Sequence, residues 1–281
     1  MKTTGTMTLL LVGVWTSVLS SSGVQPAAQE KYDSPYALAF SHPRAELLSG
    51  FQGRRGDPRQ SSIVPFADWY SAHTRKQYGH WGPPARHYQA PQSIAGRSLE
   101  WRRERVIAVA ARYIGYGYQH HHLPDWDPPA GWPWAKTATG HNGKGVDCSN
   151  FTAFVYNVGF GIKPSSAIGK QAQGLDIPGP GKAIRAKRID LTGDYDDLVK
   201  TLQTGDLLFI RNRSEKISHV VLWVGGIGRA PDNVPLILDS HGDGVKDSSG
   251  HFIPAGVHLR PFREKSWYFR SASHAIRILH R

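Results

Sequence analysis

Cysteine is almost absent from this sequence: Cys148 stands alone among 281 residues. A single thiol excludes an intramolecular disulfide framework, a cysteine-rich zinc finger and a CxxC redox pair. It also leaves no cysteine near the N-terminus to carry a lipid anchor. Acidic residues are scarce as well, 22 against 34 Lys and Arg, a net charge of +12 with histidine neutral. That imbalance suits contact with polyanions such as nucleic acid, anionic lipid or an anionic wall. Past the first turns of the chain there is no apolar run of the roughly 20 residues that span a bilayer. What is present excludes a disordered polymer, since 40% of the residues are hydrophobic and 11% aromatic. At roughly 150 residues per domain, the length allows one or two domains.

The first residues look like an export signal. Lys2 precedes the apolar stretch Leu9–Leu19, and the small-residue run Ser20–Val24 follows it. One positive charge, an apolar core and small residues after it predict a secretory signal peptide over residues 1–28, cleaved between Gly23 and Ala28. The mature protein is then expected to be secreted or periplasmic, with no stable membrane span. A lone thiol kept in an oxidising compartment invites a catalytic explanation.

Residues 29–97 are rich in Pro, Gly, Arg, Ser and aromatics, with turns such as Gly53–Pro58 and Trp81–Pro84. We read them as an irregular extension that wraps the main domain, with Ala37–Phe40 and Ile63–Tyr70 burying some apolar groups. The main domain is expected over residues 98–281. Ser98 can cap a helix from Leu99 to Ile114, where Val106, Ile107, Ala110 and Ile114 recur at helical spacing and Gly115 ends it. A long irregular segment, Tyr116–Gly145, comes next. A second helix is predicted from Cys148 through Phe151, Phe154, Val155 and Val158, stopping at Gly159, and a short one over Asp194–Leu202. The C-terminal third changes period. Asp206–Ile210, His219–Val224, Pro235–Asp239, Gly256–Arg260 and Ala275–Leu279 are β-rich runs between turn residues. Helices followed by consecutive short strands predict an α+β domain with an antiparallel sheet.

A cysteine nucleophile needs a lowered pKa, because the thiolate attacks. A helix N-terminus, a nearby imidazole and a third group that orients the imidazole would supply it. Cys148 lies between the turn-forming Gly145–Asp147 and a helical run, where free backbone N–H groups favour negative charge and could hold an oxyanion. Its polar flanks, Asp147, Ser149 and Asn150, argue against deep burial. His219 opens the most hydrophobic strand, and His241 ends the next one. Adjacent antiparallel strands would bring the two together, so that His241 accepts the second imidazole N–H of His219. Asp239 and Asp243 flank His241 and are alternatives for that role.

These pieces resemble the NlpC family of papain-like cell-wall cysteine peptidases. The resemblance is carried by Arg112–Tyr118, Val146–Phe151, Thr204–Phe209, Ile217–Gly225 and Ile237–Gly242, and it spans roughly Leu99 to His280. It implies the papain-like NlpC fold, with N-terminal helices packed on an antiparallel sheet. It implies Cys148 as nucleophile, His219 as general base and then acid, and His241 as the orienting group. Tyr118 would line the site near the oxyanion, and Asp147 and Ser149 match positions that contact the free amine of the stem peptide's first alanine. The implied activity is hydrolysis of an amide bond in peptidoglycan stem peptides, usually between D-glutamate and the following diamino acid, with no cofactor. The sequence departs from the family's commonest form in Asn150, where glycine is usual, and in the long insertion His120–Lys144. The other readings are an amidase or acyltransferase of the same fold, or a catalytically silent wall-binding module.

Three further features compete for a role. His120–His122 with His141 suggest a metal site, but consecutive histidines cannot all face one ion, and no metal is expected. Trp126, Trp132 and Trp134 could stack on sugar rings, although packing that anchors the loop is the stronger reading. Arg54, Arg55, Arg59, Arg75, Arg102, Arg103 and Arg105 are expected to be solvated, giving at most a weak attraction to an anionic wall and no nucleic-acid binding.

Overall fold

The computed structural model describes residues 32–50, 72–73, 76, 87–118, 146–242 and 244–280. The predicted signal peptide lies outside these residues, as does the segment 119–145 with its histidines and tryptophans. Arg54, Arg55, Arg59, Arg75 and Asp243 also fall outside them.

Six helices are used below: α1 (Arg44–Leu47), α2 (Leu99–Ala111), α3 (Cys148–Phe160), α4 (Ile168–Gln171), α5 (Tyr195–Thr201) and α6 (Trp267–Arg270). The strands are β1 (Ala37–Leu38), β2 (Asp176–Ile177), β3 (Ile184–Arg185), β4 (Lys187–Asp190) and β5 (Leu207–Arg211). They continue with β6 (Ile217–Trp223), β7 (Gly228–Arg229), β8 (Leu236–His241), β9 (Gly256–Pro261) and β10 (Ala272–Arg277). Among the described residues the main sheet has the order β4-β10-β5-β6-β8-β9, with every neighbouring pair antiparallel. The predicted α+β class is therefore the observed one. Three strand pairings were not read from the sequence, one of them the short ribbon of β2 and β3. β4 joins the sheet edge beside β10, where its exposed Lys187 and Arg188 suit a strand with one unpaired side. β1 pairs with β7, which fastens the extension to the domain.

Alternation along the strands separates two apolar layers. Leu207, Phe209, Val220, Leu222, Leu236, Leu238, Val257 and Leu259 face α2 and α3. Leu208, Ile210, Val221, Trp223 and Ile237 face the other way, against Leu198 of α5 and Tyr268 of α6. Ser98 Oγ accepts a hydrogen bond from the Trp101 N–H at 3.1 Å, so the expected cap of α2 is present. All thirteen residues of α3 are buried, as befits a helix enclosed on every side. It ends at Gly161, with φ of 65°, not at Gly159. Gly159 lies inside α3 against Val109 of α2, which a Cβ there would meet at 3.6 Å, an ordinary contact.

Arg105 corrects the expectation of a solvated arginine face on α2, for it is 0% exposed. Its guanidinium donates to Leu47 O at 2.5 Å, Ser49 O at 2.9 Å and Gly159 O at 2.9 Å, tying the end of α1 to the end of α3. Backbone carbonyls at two helix ends left acceptors that a long donor satisfies.

One close approach fixes the wall beside Cys148. Gly115 N–H donates to Val257 O at 3.0 Å, and Val257 N–H donates to Tyr116 O at 2.7 Å. Gly256 lies against this crossing with φ of 114°, and a Cβ there would stand 1.9 Å from Tyr116 O. Both the dihedral and the space require glycine. Gly256→Ala is expected to lower stability by about 3 kcal/mol or more, read as a drop in thermal unfolding midpoint. An unchanged midpoint would show that the Tyr116–Gly117 backbone is not held against β9.

Candidate active site

Cys148 is the first residue of α3, and its position follows from the residue before it. Asp147 is the N-cap: Oδ1 accepts from Asn150 N–H at 2.8 Å, and Oδ2 accepts from Asn150 Nδ2 at 2.9 Å. Asn150, the unusual residue of the motif, thus closes the cap with both its backbone and its side chain. Ser149 Oγ donates to Ser166 O at 2.7 Å, and Gln171 Nε2 donates to Ser149 O at 3.2 Å, which anchors the first turn to α4 and the loop before it. These mutual bonds explain a correction. Polar flanks do not keep Cys148 at the surface; the thiol residue is 5% exposed, and Asp147, Ser149 and Asn150 are buried with it. Asp147 and Ser149 are therefore placed as parts of the helix start, each already engaged within the protein.

Two more bonds position the thiol. Ser240 Oγ of β8 donates to Val146 O at 2.5 Å, and Val146 N–H donates to Gly117 O at 3.0 Å. The first links the cysteine turn to the sheet. The second brings Tyr118 to its side, where burial and then the negative charges of Cys148 and Asp147 raise the phenol pKa well above its ordinary value. The Tyr118 hydroxyl keeps its proton there.

His219 sits where β6 loses its regular pairing. Ile210 faces His219 and Arg211 faces Ile217, so Ser218 is an extra residue, a bulge. The bulge sets Ile217 on the layer of Val220 and Leu222, and His219 on the opposite face with Val221 and Trp223. His219 is 4% exposed. Its Nε2–H donates to Asp239 Oδ2 at 2.6 Å, and Cys148 lies close enough for its charge to act on the same ring. Cysteine, histidine and aspartate form one row.

The hydrogen-bond partner of His219 is thus Asp239, not His241, and the reason lies in strand geometry. β6 and β8 pair at Leu222↔Leu238 and Trp223↔Ile237. Continuing that register would set His241 opposite His219, and the two rings do lie 4.8 Å apart, edge to face. Asp239 is the diagonal neighbour on the same face, within reach of a long side chain. His241 turns its Nδ1 to Gly242 O at 2.9 Å. Burial and the positive charges of His219 and Arg260 hold it neutral, against the pull of Asp239.

Residues that sequence reasoning passed over complete the surroundings of Asp239. Tyr268 O–H donates to Oδ2 at 3.1 Å. Arg260 Nε lies 3.2 Å from Oδ1, within ion-pair distance though not aligned as a hydrogen bond. The Trp267 ring lies 5.7 Å from both His219 and His241, and its Nε1–H donates to Arg211 O at 3.2 Å. Nothing in the run Gly256–Pro261 marks Arg260 as inward-facing except its place on the same strand face as His258, which pairs with Asp239. Trp267 and Tyr268 lay in no periodic segment.

The electrostatics follow from this enclosure. Burial drives the His219 imidazolium down, yet the negative charge of Cys148, the bond to Asp239 and the charge of Asp239 outweigh it. The pKa stands at about 9. Burial likewise raises Asp239, but Arg260 and then His219 hold it below the usual carboxylate range. A histidine raised from 6.5 to about 9 contributes stability that is fully present below about pH 6.5 and is lost as pH rises through about 9. Unfolding free energy is therefore expected to fall between about pH 7 and 9.5, as measured by urea denaturation, and to fall less in His219→Gln. Equal slopes for the two proteins would show that His219 carries no excess proton.

The NlpC/P60 family model matches residues 134–268, just under half of the chain. No curated protein matches. Among solved structures, an NlpC/P60 family protein from Bacillus cereus ATCC 10987 is 18% identical, over 63% of this chain and 40% of that one, with a TM-score of 0.37. This chain therefore spans less than half the length of that protein. The peptidoglycan hydrolase RipB from Mycobacterium tuberculosis is 18% identical, over 86% of this chain and 92% of that one, with a TM-score of 0.41. The segment that matches the NlpC/P60 family model takes in the cysteine helix, both histidine strands and the Trp267–Tyr268 pair.

Proposed function

We propose that the protein is an exported cysteine peptidase that hydrolyses an amide bond in peptidoglycan stem peptides, the bond between D-glutamate and the following diamino acid. The observation that carries this reading is the row in which the His219 ring bonds the carboxylate of Asp239 and stands beside Cys148 at the start of its helix. A buried imidazole that keeps its proton up to about pH 9 supplies the cation that a nucleophilic thiolate needs beside it.

In the proposed mechanism the Cys148 thiolate attacks the carbonyl carbon. The Cys148 amide, which has no acceptor inside its own helix, and the protonated Tyr118 hydroxyl receive the developing oxyanion. His219 gives its proton to the leaving amine and becomes neutral, leaving a thioester on Cys148. It then takes a proton from water, which attacks the thioester and releases a carboxylate and the thiolate. Asp239 fixes the ring and stabilises its charged form throughout. Asp147 and Ser149 serve by holding the helix start. The basic surplus supports a weak, salt-sensitive attraction to an anionic wall.

Mass spectrometry of muropeptides after incubation with the purified protein tests the reading. A new free α- or γ-carboxylate on the glutamate together with a freed diamino acid is the expected result. Transfer of the acyl group to an added amine with no new carboxylate would make it an acyltransferase, and intact muropeptides would remove the assignment.

A further inference from the structure

Asp239 presents a problem that the reaction row by itself does not solve. It is 0% exposed, and its two oxygens face the His219 imidazole, the Tyr268 hydroxyl and the Arg260 guanidinium. A carboxylate taken out of water without a counter-charge would protonate, and a protonated Asp239 could not hold an imidazolium. From β9, Arg260 supplies the charge and His258 stands opposite Asp239 in the register. His219 faces it from β6, Tyr268 from α6, and His241 lies two residues along its own strand. Cys148 reaches it only through His219. His219 and Arg260 are its ion-pair partners among the described residues.

Arg260 is itself 0% exposed and held from behind. Its Nη2 donates to Pro254 O at 3.1 Å and to Gly256 O at 3.0 Å. It therefore cannot swing out to water, and it grips the same turn that abuts Tyr116 and Gly117 on the way to Tyr118. Along the row the charges alternate: thiolate, imidazolium, carboxylate, guanidinium. Their sum is zero in a space that admits little water.

We infer that Arg260 is a positioning residue for the proposed hydrolysis: it keeps Asp239 ionised and in place, and acts on Cys148 through Asp239 and His219 without touching the substrate. This rests on Asp239 as the orienting group. A purely structural arginine, present only to satisfy Pro254 and Gly256, would lower stability but would not care whether residue 239 bears a charge.

A double-mutant cycle on kcat with the full chain separates the two. Arg260→Met is expected to lower kcat by about a hundredfold with KM changed less than about threefold, and to move the alkaline limb of the rate profile below its value near pH 9. In an Asp239→Asn background, where no buried anion needs balancing, the same change should alter kcat by less than about threefold. Arg260→Lys keeps the charge while losing the fork to Pro254 and Gly256, and should retain kcat within about tenfold with the limb near pH 9. If Arg260→Met does not fold, Arg260→Lys decides alone: a hundredfold loss or a displaced limb overturns the inference. Multiplicative losses in the cycle overturn it as well, with Asp239 keeping its role. Full activity in Asp239→Asn would instead overturn the reading of Asp239, and this inference with it.

Discussion

Replacing Cys148 with alanine is expected to reduce stem-peptide hydrolysis by about ten-thousand-fold or more, to background, while circular dichroism reports a folded chain. The magnitude follows from the mechanism: without sulfur there is no covalent intermediate, and a buried imidazole cannot recruit water to an unactivated amide at a useful rate. Folding should survive because the helix start is built by Asp147, Asn150, Ser149 and Ser240, none of which bonds through the sulfur. The variant carries a second, independent signature. The charge of Cys148 is the largest of the influences that raise His219, so without it the alkaline loss of stability should weaken. Substantial hydrolysis by the purified Cys148→Ala protein would refute the nucleophile assignment outright.

The second large effect separates two neighbours. Asp239→Asn preserves volume and most geometry but replaces the acceptor of the His219 proton with an amide. It is expected to lower kcat by about a thousand- to ten-thousand-fold, the scale seen when an orienting carboxylate of a catalytic imidazole is made neutral. His241→Asn should cost no more than about tenfold, because His241 gives its Nδ1 to Gly242 and meets His219 only ring to ring. Steady-state rates on a stem peptide decide it, and the reverse ranking would return the orienting role to His241. A third variant sharpens the physics. Asp239→Ala leaves Arg260 buried without its anion and should lose about 3 kcal/mol or more of stability in addition to activity.

That ranking also measures what the sequence could tell. The layers were legible because strands alternate and apolar runs at Leu207, Val220 and Leu236 leave little choice of face. The cysteine at a helix start was legible because Asp147 is a capping residue three positions before Asn150, whose amide it accepts. The third member of the row was not. Asp239 and His241 share one strand face, so alternation selects both and separates neither. What separates them is where the β6–β8 ladder stops, and the Ser218 bulge that aims His219 along the strand. Both are properties of the pairing, absent from either segment read alone. Arg105 and Arg260 escaped for a related reason. A charged residue in an amphipathic segment reads as solvent-facing unless its acceptors, here backbone carbonyls at a helix end and in a turn, are already known.

The single bond from Val146 to Gly117 has a consequence for how such a protein can diversify. It closes the neck of the 119–145 segment directly beside the thiol, so the stems on either side are fixed whatever lies between them. Lengthening a loop between fixed stems costs only about 0.6 kcal/mol per doubling. The neck therefore works as a splice point: sequence of another length joined between Gly117 and Val146 would leave the stems beside the thiol as they are.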